Sequence, residues 1–201
     1  MAKTMTPSVM TEGQVDKLIA TFVAAVRKHR KEFELDAVQQ VLGVDNLGME
    51  LLDPFRRRVE ALSNLIVRRI KVDRTHTPQQ VLDATGRKQY VNSAVVSTMP
   101  AGEGEEVEVV FFKVGRFLKP SEVSGEFALR NLMPDPRAQA AVNKADPAFA
   151  DQHPNGTQWQ DAEGNYNFLT GDQWDVGGRN VYCYRDGSGW GDDWWFAGVR
   201  K

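Results

Sequence analysis

The sequence predicts an α+β protein with N-terminal helices, a mixed region and a C-terminal antiparallel β-meander. Near the start of the chain, apolar residues recur with a period close to that of an α-helix. The central run VEVVFF, residues 107–112, is continuous enough for a strand that is buried on both faces. Beyond His153, short aromatic runs alternate with Asn-Gly, Glu-Gly and Asp-Gly pairs, which is typical of hairpin turns.

Three helices are predicted before residue 65. Thr11 and Gln14 form a capping box ahead of the first helix, because each side chain can bond the other residue's backbone N–H. The apolar face of this helix comprises Val15, Leu18, Ile19, Phe22, Val23 and Val26. The second helix spans Asp36 to Leu42, and the pair Asp53-Pro54 is expected to open the third.

The middle of the chain is predicted to mix strands and helices. The run LIVRRIKV can prolong the third helix or begin a strand, and we favour a strand after Ile66. Thr77 and Gln80 form a second capping box, and Val95 and Val96 favour an extended segment. The further expected elements are a strand at 105–114 with Val109, Phe111 and Phe112 in the core, and helices starting at Ser121 and at Asp135-Pro136.

Aromatic residues concentrate in the predicted meander, and all five tryptophans lie between Trp159 and Trp195. The expected strands are Thr157 to Gln160, Asn165 to Thr170, Asn180 to Tyr184 and Trp194 to Arg200. If the last two strands pair, alternation places Trp195, Ala197, Val199, Val181 and Cys183 on a core face. The opposite face then carries Tyr182, Tyr184, Trp194 and Phe196. Either the helices cover these aromatic side chains, or they form a ligand or partner face.

Length and composition are those of a globular protein with one or two domains. The 201 residues are divided here into a helical region, 1–64, and an α+β body, 65–201. Cys183 is the single cysteine, so no internal disulfide can form and a reducing compartment is expected. The first ten residues do not resemble a signal peptide, and no apolar run approaches the roughly 20 residues that span a bilayer. We therefore expect a cytoplasmic protein without a membrane partner.

The sequence contains no recognised catalytic or metal-binding motif. The three histidines form no ligand pair, and GxSxG, P-loop and GxGxxG patterns are absent, so we expect no metal and no cofactor. Cys183 fits a buried strand residue better than a nucleophile paired with His153. The loop 186–193 resembles an EF-hand only superficially, and we interpret it as an acidic hairpin loop. A weaker cation site at Asp186, Asp192 and Asp193 is the alternative.

Four segments resemble an uncharacterised bacterial protein family with a Trp-rich ending: PNGTQW, GDDWWFAGVRK, PQQVLDATGRKQYV and EVEVVFF. The resemblance covers about residues 66 to 201 and not the N-terminal helices. It implies a bacterial or mobile-element setting. It implies no activity and assigns no catalytic residue.

Three hypotheses on function follow. The first is a non-enzymatic module that binds an unknown protein or small ligand through the aromatic face. The second is nucleic-acid binding, because residues 56–88 hold nine Lys/Arg against three Asp/Glu. Its expected phosphate contacts are Arg56, Arg57, Arg58, Arg68, Arg69, Lys71 and Arg74. The third is an enzyme that uses acids of the C-terminal loops, which are Glu163, Asp172, Asp175, Asp186, Asp192 and Asp193.

Overall fold

A computed structural model of the chain describes residues 10–175, 178–185 and 188–200. Contacts within the described part group into two compact units, one within residues 10–63 and the other within 64–200. Helices and a mixed sheet together confirm the α+β class, with helices first and strands concentrated towards the C-terminus. The division into domains that fold separately stays a prediction.

The N-terminal unit is helical. Its elements are α1 (Glu12–His29), a 3-10 turn (Arg30–Glu32), α2 (Leu35–Leu42) and α3 (Leu47–Leu62). The capping box of α1 is confirmed, because Thr11 Oγ1 accepts from the N–H of Gln14 and Gln14 Oε1 accepts from the N–H of Thr11. No residue of α1 or α2 is buried, and the apolar side chains of Ile19, Phe22 and Val26 are exposed.

The predicted start of the third helix is wrong. Helix α3 begins at Leu47, directly after Asn46, and Pro54 lies inside it. The carbonyl of Asn46 accepts from the N–H groups of Met49 and Glu50, so the first turn forms seven residues before Asp53. A proline within a helix removes one N–H donor without necessarily ending the helix. The pair Asp53-Pro54 therefore resembles the start of a helix, although it lies within α3, which begins at Leu47.

The C-terminal unit contains the remaining helices and all the strands described. They are β1 (Leu65–Lys71), α4 (Pro78–Asp83), β2 (Lys88–Val91), α5 (Ser93–Val96), β3 (Glu106–Lys113), α6 (Pro120–Leu129), β4 (Leu132–Met133), α7 (Pro136–Ala145), α8 (Phe149–Gln152), β5 (Asn155–Gln160), β6 (Tyr166–Asp175), β7 (Gly178–Arg185) and β8 (Trp195–Arg200). The strand after Ile66 and the capping box at Thr77 are confirmed. No helix in the described residues has the length and apolar character needed to cross a membrane.

One local prediction in this unit needs correction, and two short strands were not predicted. The extended segment expected around Val95 and Val96 is helix α5, because the side chain of Asn92 caps it by accepting from the N–H of Ala94. An N-cap of this kind outweighs the weak strand preference of two β-branched residues. The short strands β2 and β4 were not predicted, since neither has a clear alternating pattern.

The strands form one mixed sheet in the order β1-β3-β8-β5-β6-β7-β2, and β4 also pairs with β8. Strands β5, β6 and β7 form an antiparallel meander, as predicted. The expected pairing of β7 with β8 is wrong, because β8 lies between β3 and β5 and is parallel to β5. Residues 195–199 of β8 are all buried. Consecutive residues of a strand point to opposite faces, so this burial requires a central strand that is covered on both faces.

Helices cover the two faces of the sheet unequally. On the first face, α4, α5, α7 and α8 pack against residues that include Phe111, Trp195, Ala197 and Cys183. On the second face, α6 packs against Val110, Phe112 and Phe196, towards the β3 and β8 end of the sheet. The predicted core residues Val109, Phe111 and Phe112 are therefore confirmed as buried, divided between the two faces. The second face of β6 and β7 is the part of the sheet that carries the candidate site.

Candidate functional site

Strand β6 presents Phe168, Thr170 and Asp172 on the second face, because alternate residues of a strand point to the same side. The antiparallel register sets Tyr182 of β7 opposite Thr170 and Tyr184 opposite Phe168. Thr170 and Asp172 are buried, whereas Phe168 and Tyr182 are half-buried. Polar groups thus lie at the base of this surface and aromatic rings stand around them.

Trp190 lies across the sheet next to these residues and is held at three points. Its Nε1–H donates to Gln158 Oε1 at 2.9 Å, and its backbone forms two hydrogen bonds with Leu118, at 2.8 and 3.0 Å. A Cβ on Gly156 would lie 2.5 Å from two carbons of the Trp190 ring. The indole can occupy this place only because residue 156 has no side chain.

Four aromatic side chains surround the site in edge-to-face or stacked arrangements. The ring centroid of Trp190 is 5.8 Å from that of Phe168 and 5.4 Å from that of Trp194, with interplanar angles of 75° and 83°. The ring of Tyr182 stacks on that of Tyr90, with centroids 5.0 Å apart and planes inclined by 12°. Such pairs add to the stability gained from burial and hold each ring in one orientation.

These side chains enclose a pocket of about 240 Å³. Its lining residues are Phe168, Thr170, Asp172, Tyr182, Gly189, Trp190 and Trp194. Among the described residues that line it, Asp172 is the only carboxylate and there is no lysine or arginine. Ligand pockets for drug-sized molecules usually measure roughly 300–1,000 Å³, so this one suits a small molecule or the end of a larger one.

The structure separates the four residues of the predicted aromatic face. Tyr182 and Trp194 line the pocket, and Tyr184 is exposed beside it, opposite Phe168. Phe196 is buried with α6, and its ring centroid is 5.2 Å from that of Trp190. The cause is the position of β8, which is not adjacent to β7.

The aromatic prediction missed Phe168 and Trp190, and it did not connect Asp172 with this face. The alternation of Phe168, Thr170 and Asp172 was visible in the sequence and would have placed all three on the Tyr182 side of the meander. Trp190 had no comparable signal, because its position depends on Gly156 and on pairing with Leu118.

Most of the predicted phosphate-binding residues have partners within the protein. Arg69 pairs with Glu108 at 2.8 Å, Lys71 with Glu106 at 3.2 Å and Arg74 with Asp135 at 2.7 Å, each measured from nitrogen to oxygen. Of the remaining residues in the set, Arg56 pairs with Asp53, and the guanidinium of Arg68 lies over the Phe149 ring. Arg58 is exposed, and the side chain of Arg57 lies outside the described part. Contact with phosphate would compete with these ion pairs.

The acids expected for an enzyme do not converge in the described residues. Asp172 lines the pocket, but Glu163, Asp192 and Asp193 do not. Asp186 and the side chain of Asp175 lie outside the described part. Among the described residues, no group of three His, Cys, Asp or Glu side chains is placed to hold a metal ion. Burial raises the pKa of the Cys183 thiol to about 12, which leaves almost no thiolate at neutral pH.

Comparison of the chain with protein-family models, with curated proteins and with solved structures gave no match.

Proposed function

We propose that this protein is a non-enzymatic binding module that holds a small ligand, or the end of a larger one, in the aromatic pocket on β6 and β7. The observation that supports this is the convergence of Phe168, Tyr182, Trp190 and Trp194 around one small cavity with polar groups at its base. Concave sites with aromatic walls and a few fixed polar groups are typical of ligand recognition. The resemblance to a bacterial family and the single cysteine favour a bacterial cytoplasm as its location.

A rigid wall is the feature that suits this pocket to binding. The backbone and the indole of Trp190 are both hydrogen-bonded, and edge contacts with two neighbouring rings fix its plane. A ligand therefore does not have to order this side chain when it binds. Preorganisation of this kind increases affinity because less conformational freedom is lost.

The two other hypotheses have less support from the same residues. General acid–base chemistry usually needs two groups with separated pKa values, and one carboxylate lines the described part of the pocket. Nucleic-acid binding requires cations available to phosphate, but Arg69, Lys71 and Arg74 are engaged with carboxylates. We therefore retain the binding module as the single proposed function.

The test is a titration of ¹⁵N-labelled protein with a panel of small amines, carboxylates, sugars and neutral aromatics. We expect at least one class to shift the indole N–H signals of Trp190 and Trp194. The indole of Trp159 is an internal control, because it is buried on the first face and donates to Thr98 Oγ1 at 3.1 Å. Its signal should not move.

A pair of variants makes this test specific to the pocket. Trp194→Ala removes a lining ring and should weaken binding about tenfold or more, as loss of a central aromatic contact does. Tyr184→Ala is the matched control, since Tyr184 lies on the same face but does not line the pocket. If no compound shifts the two indole signals, or if Tyr184→Ala abolishes binding and Trp194→Ala does not, the proposal is wrong.

A further inference from the structure

We infer that a second cavity, on the first face of the sheet, binds a small carboxylate with an aliphatic body. The inference goes beyond the aromatic pocket and does not depend on it. It comes from one juxtaposition, in which the buried guanidinium of Arg137 has no carboxylate partner among the described residues and lines a cavity with mainly apolar walls.

The cavity measures about 290 Å³ and lies between β1, α4 and α7. Its walls include Val72, Val81 and Ala140, which belong to the two apolar clusters of the first face, and Ile70, which packs against one of them. The cavity is therefore at the junction of these clusters. Its described lining contains no phenylalanine, tyrosine or tryptophan, so the walls suit an aliphatic group.

Helix α7 contributes a stripe of residues to this cavity. Ala140, Ala141 and Lys144 follow Arg137 at intervals of three, four and seven residues, so all four lie on one side of the helix. The two cations are thus two turns apart with alanines between them. Because the side chain of alanine is a single methyl group, this stripe leaves room for a ligand between the charges.

Arg137 is the buried charge of the cavity. It is 8% exposed, and its Nη1 donates to the carbonyl groups of His76 at 2.8 Å and of Arg74 at 3.2 Å. Its Nε is enclosed and has no acceptor. Within the part of the chain that the structure describes, no carboxylate oxygen lies within 4.0 Å of its guanidinium. Burial of a charge is costly unless the charge is paired, so a carboxylate in the cavity would supply the missing partner.

The carboxylate two residues before Arg137 is already engaged. The oxygens of Asp135 accept from the two terminal nitrogens of Arg74, at 3.0 and 2.7 Å, and Oδ1 also accepts from the N–H of Ala138 at 3.0 Å. Arg74 thus has the bidentate partner that Arg137 lacks. Such pairs are among the strongest contacts that a guanidinium forms, and they indicate a carboxylate as the ligand group for Arg137.

Asp73 is the only carboxylate among the described residues that line the cavity, and its own loop binds it. Its Oδ1 accepts from the backbone N–H and the hydroxyl group of Thr75, at 2.9 and 2.6 Å. Its Oδ2 lies 3.4 Å from Nε2 of His76. The side chain is half-exposed, so solvent screens its repulsion of a ligand anion.

Lys144 is the second cation of the proposed site. It is exposed, and it attracts Asp73 electrostatically without coming within the 4.0 Å of an ion pair. The side chain of Lys71 pairs with Glu106 and is not part of the proposed site. Arg137 and Lys144 therefore stand against one carboxylate, which leaves the lining with an excess of positive charge.

The same lining favours a carboxylate over a phosphate group. A phosphate group presents at least three strong acceptor oxygens, and each one that is buried needs a donor. The walls beside Arg137 and Lys144 are mainly apolar and offer few donors. A carboxylate has two oxygens and can end an aliphatic chain, which matches one charged end and apolar walls.

The test compares hexanoate with hexanamide, which has the same chain but no charge, by titration of protein labelled with ¹³C in its alanine methyl groups. We expect hexanoate to shift the signals of Ala84, Ala141 and Ala145, which line the cavity, and to bind about tenfold or more tightly than hexanamide. Acetate lacks most of the chain and should bind about tenfold or more weakly than hexanoate. The methyl signal of Ala128, on α6, is the internal control and should not move.

A pair of lysine variants locates the charge. Lys144→Met removes an exposed ammonium group and should weaken the binding of hexanoate about threefold or more, while the affinity for hexanamide stays the same. Lys119→Met is the matched control, because Lys119 is also exposed but does not line the cavity. It should leave both affinities unchanged.

Four results would overturn the inference. They are equal or tighter binding of hexanamide, an unchanged hexanoate affinity in Lys144→Met, no shift of the three alanine signals with hexanoate, and a shift of the Trp190 and Trp194 indole signals alone. The last result would place hexanoate in the aromatic pocket. That pocket is tested by its own panel of compounds, so failure of one proposal is distinct from failure of the other.

Discussion

At the scale of single residues, the absence of a side chain at Gly156 determines where Trp190 lies. Trp190 passes so close to the sheet that it touches the backbone of β5, and Gln158, two residues along the same face, accepts its N–H. The glycine and the tryptophan are separated by 34 positions in the sequence. Their relation could not be predicted from local pattern, because it exists only once the sheet has formed.

We predict that Gly156→Ala displaces Trp190 and destabilises the protein by about 1–3 kcal/mol, the usual cost of overpacking a well-filled core. The added methyl group would sit 2.5 Å from two ring carbons of Trp190 and 3.0 Å from Thr170 Cγ2. Urea denaturation followed by tryptophan fluorescence measures the change. Gly125→Ala is the control, since nothing lies within 4 Å of a Cβ there and an alanine favours helix α6. An unchanged midpoint for Gly156→Ala would contradict the position of Trp190.

At the scale of elements, the turn between β5 and β6 depends on Asp161. Its Oδ1 accepts from the N–H groups of Glu163 and Asn165 and from the Asn165 side chain, and its Oδ2 lies 3.1 Å from Arg185 Nη2. Burial acts to raise the pKa of Asp161, but the hydrogen bonds from Asn165, Asn167 and Glu163 outweigh it and lower the pKa to about 2. The turn is therefore built around a carboxylate that stays charged in mild acid.

We predict that the stabilisation contributed by the Asp161 charge depends on pH. In the unfolded chain an aspartate has a pKa of about 3.9, so lowering this pKa in the folded state stabilises the protein fully above that value. The contribution is lost as the pH falls from about 4 towards 2. A ¹³C titration of the Asp161 carboxyl group should give a midpoint near 2. The stability difference between the wild type and Asp161→Asn should be larger at pH 6 than at pH 3, and a constant difference would contradict this assignment.

Within strands, side-chain alternation was a reliable guide, whereas the choice of neighbouring strand was not. In β7, Val181 and Cys183 are buried on the first face and Tyr184 is exposed on the second, as the pattern predicts. The position of β8 could not be derived in the same way. Strand neighbours are selected by packing over long sequence separations, and β8 pairs with β3, more than 80 residues earlier in the chain.

At the scale of the whole molecule, the two units differ in how they are stabilised. The sheet of the C-terminal unit is packed on both faces, and Phe111 and Phe112 in β3 are 0% and 1% exposed. Helices α1 and α2 have no buried residue. The sequence predicted both the α+β class and these helices, because periodicity and caps are local features. It did not show how few of the helical apolar side chains are buried.

We predict that this difference appears in hydrogen exchange. Backbone amides of α1 should exchange at least about 100-fold faster than those of β3, because opening a helix without buried side chains costs little beyond its own hydrogen bonds. Exchange followed by mass spectrometry at neutral pH measures both segments in one sample. The amides of β8, which is also central in the sheet, are the control and should behave as β3 does. Equal protection of α1 and β3 would contradict the prediction.

The central position of β8 has a consequence for synthesis on the ribosome. Strands β1 and β3 lie on one side of β8, and β5, β6, β7 and β2 lie on the other. The two halves of the sheet are joined through β8 alone among these strands, so they cannot be united until Arg200 has left the exit tunnel. During translation, the edges of β3 and β5 that pair with β8 stay unpaired until β8 is available. Such unpaired edges favour association with other chains. For this protein, we expect the risk of aggregation to be highest before β8 joins the sheet.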